Sequence, residues 1–110
     1  MEVLRNAPMH LVQFFLPLAN RAGEALPLEL VEEVERELSE RFGGVTAFVN
    51  APARGLWRNG SNNFEEDRVV MVEVMVENFD GTWWSQYRRK LEMLFAQDEV
   101  LMRECQIRKL

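Results

Sequence analysis

A valine-rich segment, residues 69–76, predicts the central strand of a β-sheet. Five of its eight residues are valine, and branched side chains suit the pleated surface of a strand. With the period of two of a strand, one face carries Val70, Val72, Val74 and Val76. The other face carries Val69, Met71, Glu73 and Met75. Strands that are hydrophobic on both faces are normally covered on both sides, and we expect the all-valine face to lie in the core.

Residues 9–18 have the same pattern and predict a second central strand. One face carries Val12, Phe14 and Leu16, and the other carries Leu11, Gln13 and Phe15. Pro17 should mark the end of this strand, because proline cannot donate a hydrogen bond to a neighbouring strand. Each central strand therefore has one polar residue, Gln13 or Glu73, among apolar neighbours on its second face.

Two segments have the hydrophobic spacing of amphipathic helices. In residues 28–42 the apolar stripe consists of Leu28, Val31, Val34, Leu38 and Phe42. In residues 82–97 it consists of Trp84, Tyr87, Leu91, Leu94 and Phe95. Pro27 suits the first position of the first helix, and Gly43 with Gly44 suits its end. Asp80 or Thr82 can cap the second helix, and of the neighbours Trp83 and Trp84 only one can point into the core.

The remaining segments complete a recognisable strand and helix order. Residues 45–50 predict a strand that could run on irregularly to Trp57, and residues 100–110 predict a more polar edge strand. Residues 58–63 form a polar connection in which we expect fast amide hydrogen exchange. With right-handed crossovers, this order predicts an α+β fold, the ferredoxin-like βαββαβ plait. In this fold a four-stranded antiparallel sheet carries two helices on one face, and the two most hydrophobic strands are central.

Composition narrows the class of protein. A chain of 110 residues has room for one core, so we expect a single domain with residues 1–8 as a mobile lead-in. The net charge of −5 argues against nucleic acid as a partner. The hydrophobic runs are far shorter than the roughly 20 residues of a membrane span, and residues 1–8 lack a signal peptide's hydrophobic run. One cysteine allows no internal disulfide, and we expect a cytoplasmic protein.

The second face of the sheet has no cover from the chain itself if both helices lie over the valine face. In a monomer, water would contact an apolar patch formed by Leu11, Phe15, Met71 and Met75. Contiguous patches of this kind mark interaction surfaces. We therefore expect these four residues to form the interface of a homodimer, in which the same patch meets itself around a two-fold axis.

Gln13 and Glu73, in the middle of that patch, have two interpretations. They form a buried polar bridge within the dimer interface, or they form the polar floor of a pocket for a small apolar ligand. In the second case Arg54 and Trp57, on the connection that precedes the central strand, could close over the pocket.

The sequence contains no complete catalytic or metal-binding signature, and we expect no cofactor. His10 is the only histidine, so one chain cannot form a two-histidine metal site. Cys105 alternates with Leu101 and Ile107 and is predicted to be an inert core thiol. The basic run at residues 88–90 is expected to complement the glutamate-rich first helix.

Three segments resemble those of small bacterial domains of unknown function. They are residues 41–48 (Arg-Phe-Gly-Gly-Val-Thr-Ala-Phe), residues 55–57 (Gly-Leu-Trp) and the helix with Trp83, Trp84, Tyr87, Arg88 and Arg89. At the level of the fold, residues 9–110 are similar to the dimeric α+β barrel branch of ferredoxin-like proteins. That branch includes cofactor-independent monooxygenases, haem-degrading enzymes and proteins without known activity. The haem-degrading members use a histidine or asparagine near the haem, a pattern that we do not map onto residues of this sequence.

Two functions remain open from the sequence. The first is a non-enzymatic, homodimeric domain that binds a small ligand or another protein in the bacterial cytoplasm. The second is a monooxygenase-like enzyme that acts on an apolar aromatic substrate, with Glu73 or His10 as acid or base. A closed cavity lined by Gln13, Glu73 and aromatic side chains would favour the enzyme.

Overall fold

The computed structural model describes residues 8–20, 22–49, 53–58, 60 and 63–110. These residues form, in order, β1 (Pro8–Pro17), α1 (Leu28–Phe42), β2 (Thr46–Ala47), β3 (Ala53–Arg58), β4 (Phe64–Val76), α2 (Gly81–Leu94) and β5 (Met102–Arg108). Most of the predicted lead-in (residues 1–7) and residues 59, 61 and 62 of the polar connection lie outside the described residues. The predicted mobility of both segments therefore stays a prediction. Neither helix of the described ranges has the length and apolarity that crossing a membrane requires.

The strands form one antiparallel sheet with β1 and β4 in its centre. Its order is β2-β4-β1-β5, and β3 also pairs with β4. In the central pair, His10 lies opposite Val76 and Pro17 lies opposite Val69. This arrangement confirms the predicted α+β fold of the ferredoxin-like type, with the two most hydrophobic strands in the middle.

The predicted second strand is divided into two pieces, so the described sheet has five strands rather than four. Ala47 of β2 lies opposite Val72, and Ala53 of β3 lies opposite Val69. Because both strands pair with β4, β3 continues the line of β2 after the interruption. Its pairing also extends β4 back to Phe64. The pairing of β1 with β4 ends at Pro17, so β3 and the first part of β4 continue beyond it as a two-stranded arm. The molecule is elongated and measures 51 × 29 × 27 Å.

The core lies between the valine face of the sheet and the two helices, as predicted. The four valines of that face are at most 3% exposed. They pack in one cluster with Val12, Phe14, Leu16, Val31, Val34, Leu38, Trp84, Tyr87, Leu91, Phe95 and Val100. Two residues of the predicted helical stripes are exposed, Leu28 at 51% and Leu94 at 46%, and Phe42 is partly buried. Leu28 is in the first turn of α1, and Leu94 is about 100° around the helix from the buried Phe95.

Local chemistry explains where the helices begin and end. The Oδ1 atom of Asp80 accepts hydrogen bonds of 3.1 Å from the backbone N–H groups of Thr82 and Trp83, which caps α2 as predicted. Gly43 ends α1 with a φ of 86°, a left-handed conformation that glycine adopts without strain. Pro27 is the residue before α1 rather than its first helical residue, because its ψ of 134° is extended.

Aromatic side chains of the two helices pack against one another. Trp84 is buried and stacks on Phe42 with ring centroids 5.2 Å apart. Trp83 is half-buried and stacks on Tyr87 at 5.0 Å. One tryptophan is thus in the core and the other at its rim, as the spacing predicted. Lys90 Nζ lies 2.8 Å from a Glu37 carboxylate oxygen, so this member of the basic run pairs with the acidic helix as predicted.

Candidate functional site

The sheet face opposite the helices is open in the described structure. Its apolar patch comes from two cross-strand pairs, Leu11 with Met75 and Phe15 with Met71. Three of these side chains are half-buried, and Met75 is 49% exposed. A polar pair, Gln13 with Glu73, lies between the two apolar pairs. We call this surface the open face; both helices lie on the other side of the sheet and leave it uncovered.

A row of three hydrogen-bonded side chains crosses the open face. Gln13 Nε2 donates to Glu73 Oε1 at 2.6 Å, and Arg103 Nε donates to Gln13 Oε1 at 2.8 Å. The guanidinium group of Arg103 also lies over the ring of Phe15, 5.5 Å from its centroid. We call Arg103, Gln13 and Glu73 the polar row. It connects β5, β1 and β4 and uses both ends of the Gln13 amide, so the row has a positive end and a negative end.

Arg103 is the member of the polar row that sequence reasoning did not identify. Arg103, Cys105 and Ile107 alternate along β5, so a period of two would place them on one face. The pairing of Arg103 with Gln13 depends on the register between β1 and β5, which are far apart in the sequence. Periodicity predicts which side chains of a strand share a face, but it does not predict which residues of the neighbouring strand lie opposite them.

Arg54 and Trp57 do not close over Gln13 and Glu73 within one chain. Trp57 lies opposite Glu65, eight positions along β4 from Glu73, which corresponds to about 27 Å at the usual rise of a strand. Arg54 lies opposite Arg68. In the alternation of β4, Arg68 belongs to the same face as Val70 and Val72, which is the face towards the helices. The four residues of the predicted pocket are therefore divided between the centre of the sheet and the arm.

A close approach within the arm explains the glycine that precedes Trp57. A Cβ atom at Gly55 would lie 2.7 Å from Nε1 of the Trp57 indole. The ring therefore lies along its own strand, over Gly55, which a larger residue would prevent. Trp57 is still 42% exposed in this position.

His10 forms a pair that the sequence did not predict. Its Nδ1 atom lies 2.5 Å from Glu104 Oε1, and its ring centroid lies 5.7 Å from that of Phe79. The side chains of His10 and Glu104 are 22% and 30% exposed. Because Nδ1 contacts the carboxylate, Nε2 is the ring nitrogen that Glu104 does not engage.

Cys105 corrects a prediction. It is exposed and lies opposite Leu11, on the open face, rather than in the core. The reason is the register of β5, which turns residues 103, 105 and 107 away from the helices. No cluster of His, Cys, Asp or Glu that could hold a metal ion occurs among the described residues.

A groove of about 510 Å³ between the helices is a second polar feature. It is lined by Glu37, Glu40, Arg41, Trp83, Gln86, Tyr87 and Lys90. The Arg41 guanidinium lies 4.3 Å from the centroid of the Trp83 ring. Burial, and then the negative charge and hydrogen bond of Glu37, raise the pKa of Tyr87 well above its ordinary value. These contacts join the helices to each other, and the groove is open to solvent.

Comparison with known proteins identifies a similar fold and no family. No protein-family model matches the chain, and no curated protein matches it. A solved structure of a phage SAM lyase in complex with S-methyl-5'-thioadenosine is similar, with a TM-score of 0.68. The likeness covers 92% of this chain and 83% of the lyase chain, at 13% sequence identity. At this identity the likeness shows the fold alone, because unrelated functions share folds. The chain thus shares with this lyase an α+β architecture that is compatible with the ferredoxin-like plait.

Proposed function

We propose that the chain is a homodimeric, non-enzymatic binding domain of the bacterial cytoplasm, of the dimeric α+β barrel type. Two copies pack their open faces together, and any small apolar ligand is held between them. The observation that supports this proposal most is the open face itself. Its apolar side chains flank a polar row, and the chain's own helices cover only the other side of the sheet.

A second copy is the simplest cover for this face. In an isologous dimer the same patch meets itself, so one surface supplies both sides of the interface. Met75 and Cys105 are both exposed on the open face of a single chain. Contact with a second copy removes this apolar surface from water, a gain of about 25 cal/mol for each Å² buried before the entropic cost of association is subtracted.

The polar row favours a binding domain over an enzyme. Gln13 donates to Glu73 and accepts from Arg103, so its amide has a partner at each end. A polar group that recognises a substrate needs donors or acceptors that point into a cavity. In this chain Gln13 and Glu73 contact each other, as expected for a polar bridge inside an interface.

Placing arginine at one position of the open face tests the proposal. Met71→Arg would bury a charge without a partner in each subunit, and monomers or aggregates should result. Met93→Arg is a matched control, because Met93 lies on α2 and is 83% exposed. Size-exclusion chromatography with light scattering should show a dimer for the unmodified protein and for Met93→Arg, but not for Met71→Arg. Equal dimer formation by both variants would contradict the proposal.

The pair of His10 and Glu104 supports a second candidate, a monooxygenase-like enzyme that acts on an apolar aromatic substrate. A carboxylate that contacts one ring nitrogen orients an imidazole for proton transfer through the other. His10 is the only histidine, so its NMR signals can be followed without overlap. S-methyl-5'-thioadenosine, which the similar lyase binds, and a simple phenol are suitable first probes. Binding that shifts the His10 signals and is lost in His10→Gln would favour the enzyme; unchanged signals favour the binding domain.

A further inference from the structure

The polar row makes the two sides of the open face electrostatically different, positive at Arg103 and negative at Glu73. Gln13 lies opposite Glu73 of β4 on one side and opposite Arg103 of β5 on the other. The positive and negative ends are thus two strand spacings apart, or about 10 Å. The hydrogen bonds of the row use Glu73 Oε1 and Arg103 Nε. Oε2 of the carboxylate and the two terminal guanidinium nitrogens take no part in them.

In a face-to-face dimer the two-fold axis lies in the plane between the sheets. The two limiting directions, across the strands and along them, differ most in how they pair the charges of the polar row. An axis across the strands places each end of the row over the same end in the second copy, so that arginine faces arginine and glutamate faces glutamate. An axis along the strands reverses the row, so that each arginine faces a glutamate. Between apolar surfaces, like charges repel and opposite charges attract more strongly than in water. Electrostatics therefore favours the axis along the strands.

We propose that two copies pack with the two-fold axis along β1 and through Gln13, so that Arg103 of each copy binds Glu73 of the other. This inference rests on the proposed homodimer and adds the residues that determine its orientation. Met75 and Cys105 lie on either side of Leu11 in one cross-strand line. The same axis therefore places Cys105 of each copy beside Met75 of the other, and covers both side chains.

Charge reversal tests the contact between the two rows. Arg103→Glu and Glu73→Arg each place like charges opposite each other and should raise the dimer dissociation constant by about tenfold or more. The double variant, with both substitutions in one chain, restores opposite charges between copies and should dimerise within a few-fold of the unmodified protein. Its internal row also survives, because the Gln13 amide can turn and exchange its donor and acceptor.

A mixture of the two single variants separates contacts between copies from contacts within one chain. Neither variant can rebuild its own row, but in a mixed dimer each glutamate faces an arginine. An equimolar mixture should therefore dimerise more tightly than either variant alone. Sedimentation equilibrium at one low salt concentration measures all five samples.

A disulfide reports the orientation directly. Met75→Cys should form a disulfide with Cys105 of the second copy under mild oxidation, which peptide mapping identifies. Within one chain the two positions are on strands separated by β1, about 10 Å apart, and their side chains point in the same direction, so they do not form a disulfide; side chains of facing sheets point towards each other. A dimer in which the double variant is no tighter than the single variants, and in which this disulfide does not form, would overturn the orientation. A monomeric unmodified protein would overturn the homodimer itself, so the two failures are distinguishable.

Discussion

Gln13 and Glu73 lie directly opposite each other on the two central strands, and their side chains share a hydrogen bond of 2.6 Å. Their neighbours Phe14 and Val72 are also opposite each other but point to the helices. A slip of β1 by one residue against β4 would exchange the two faces of β1, turn Gln13 into the core and separate it from Glu73. The register of the central strands thus determines both the core and the candidate interface.

Val72→Ala tests which face of β4 is the core. Val72 is fully buried, so the substitution should lower the free energy of unfolding by about 1–3 kcal/mol through lost burial and a residual cavity. Urea denaturation at a fixed protein concentration measures the change, since dimer stability depends on concentration. An unchanged midpoint would mean that the faces are reversed.

Two leucines of α1 form a matched pair. Leu38 is fully buried and Leu28 is 51% exposed, although the sequence predicted both in one buried stripe. Leu38→Ala should destabilise the protein by about 2–5 kcal/mol. Leu28→Ala should cost about 1 kcal/mol or less, because less apolar surface is lost. Similar losses for the two variants would show that Leu28 packs against the core.

The cap of α2 depends on the oxygen atom of Asp80. Asp80→Ala leaves the N–H groups of Thr82 and Trp83 without this acceptor and should cost about 0.5–2 kcal/mol. Asp80→Asn retains an oxygen in the same position and should be nearly neutral. Thermal unfolding of the two variants side by side gives the comparison, and equal losses would rule out a capping role.

The raised pKa of Tyr87, the only tyrosine of the chain, leads us to expect a loss of stability in alkaline solution. Burial, followed by the charge of Glu37, raises its pKa in the folded state. Its contribution to stability is therefore complete below the unfolded pKa of about 10 and is lost as the pH rises towards the higher pKa of the folded state. The ultraviolet absorbance of tyrosinate should titrate above pH 10 in the native protein, and nearer to that value in Glu37→Gln. An ordinary titration in the native protein would contradict the burial of Tyr87.

The fold could largely be predicted from the sequence because its main signals are local. The valine face at residues 69–76 and the stripe of α1 follow from side-chain periodicity. The sequence did not predict the first part of β4, because residues 65–68 are charged and their strand partner is β3. Such a segment becomes a strand through its partner, and its own composition gives no signal.

The candidate site was predictable only in part for the same reason. Periodicity placed Gln13 and Glu73 on one face, since each lies in a strand with clear alternation. Arg103 joins them through the register of β5, and Trp57 is far from them through the register of β3. Both registers depend on long-range pairing, which a single sequence does not specify.

Sedimentation equilibrium of the unmodified protein tests the proposed homodimer most directly. At micromolar concentration we expect a mass of twice the 12.9 kDa of the chain, with little dissociation on dilution, because largely hydrophobic interfaces are typical of obligate dimers. A well-behaved species with the mass of one chain would contradict the account, and the open face would then need another cover.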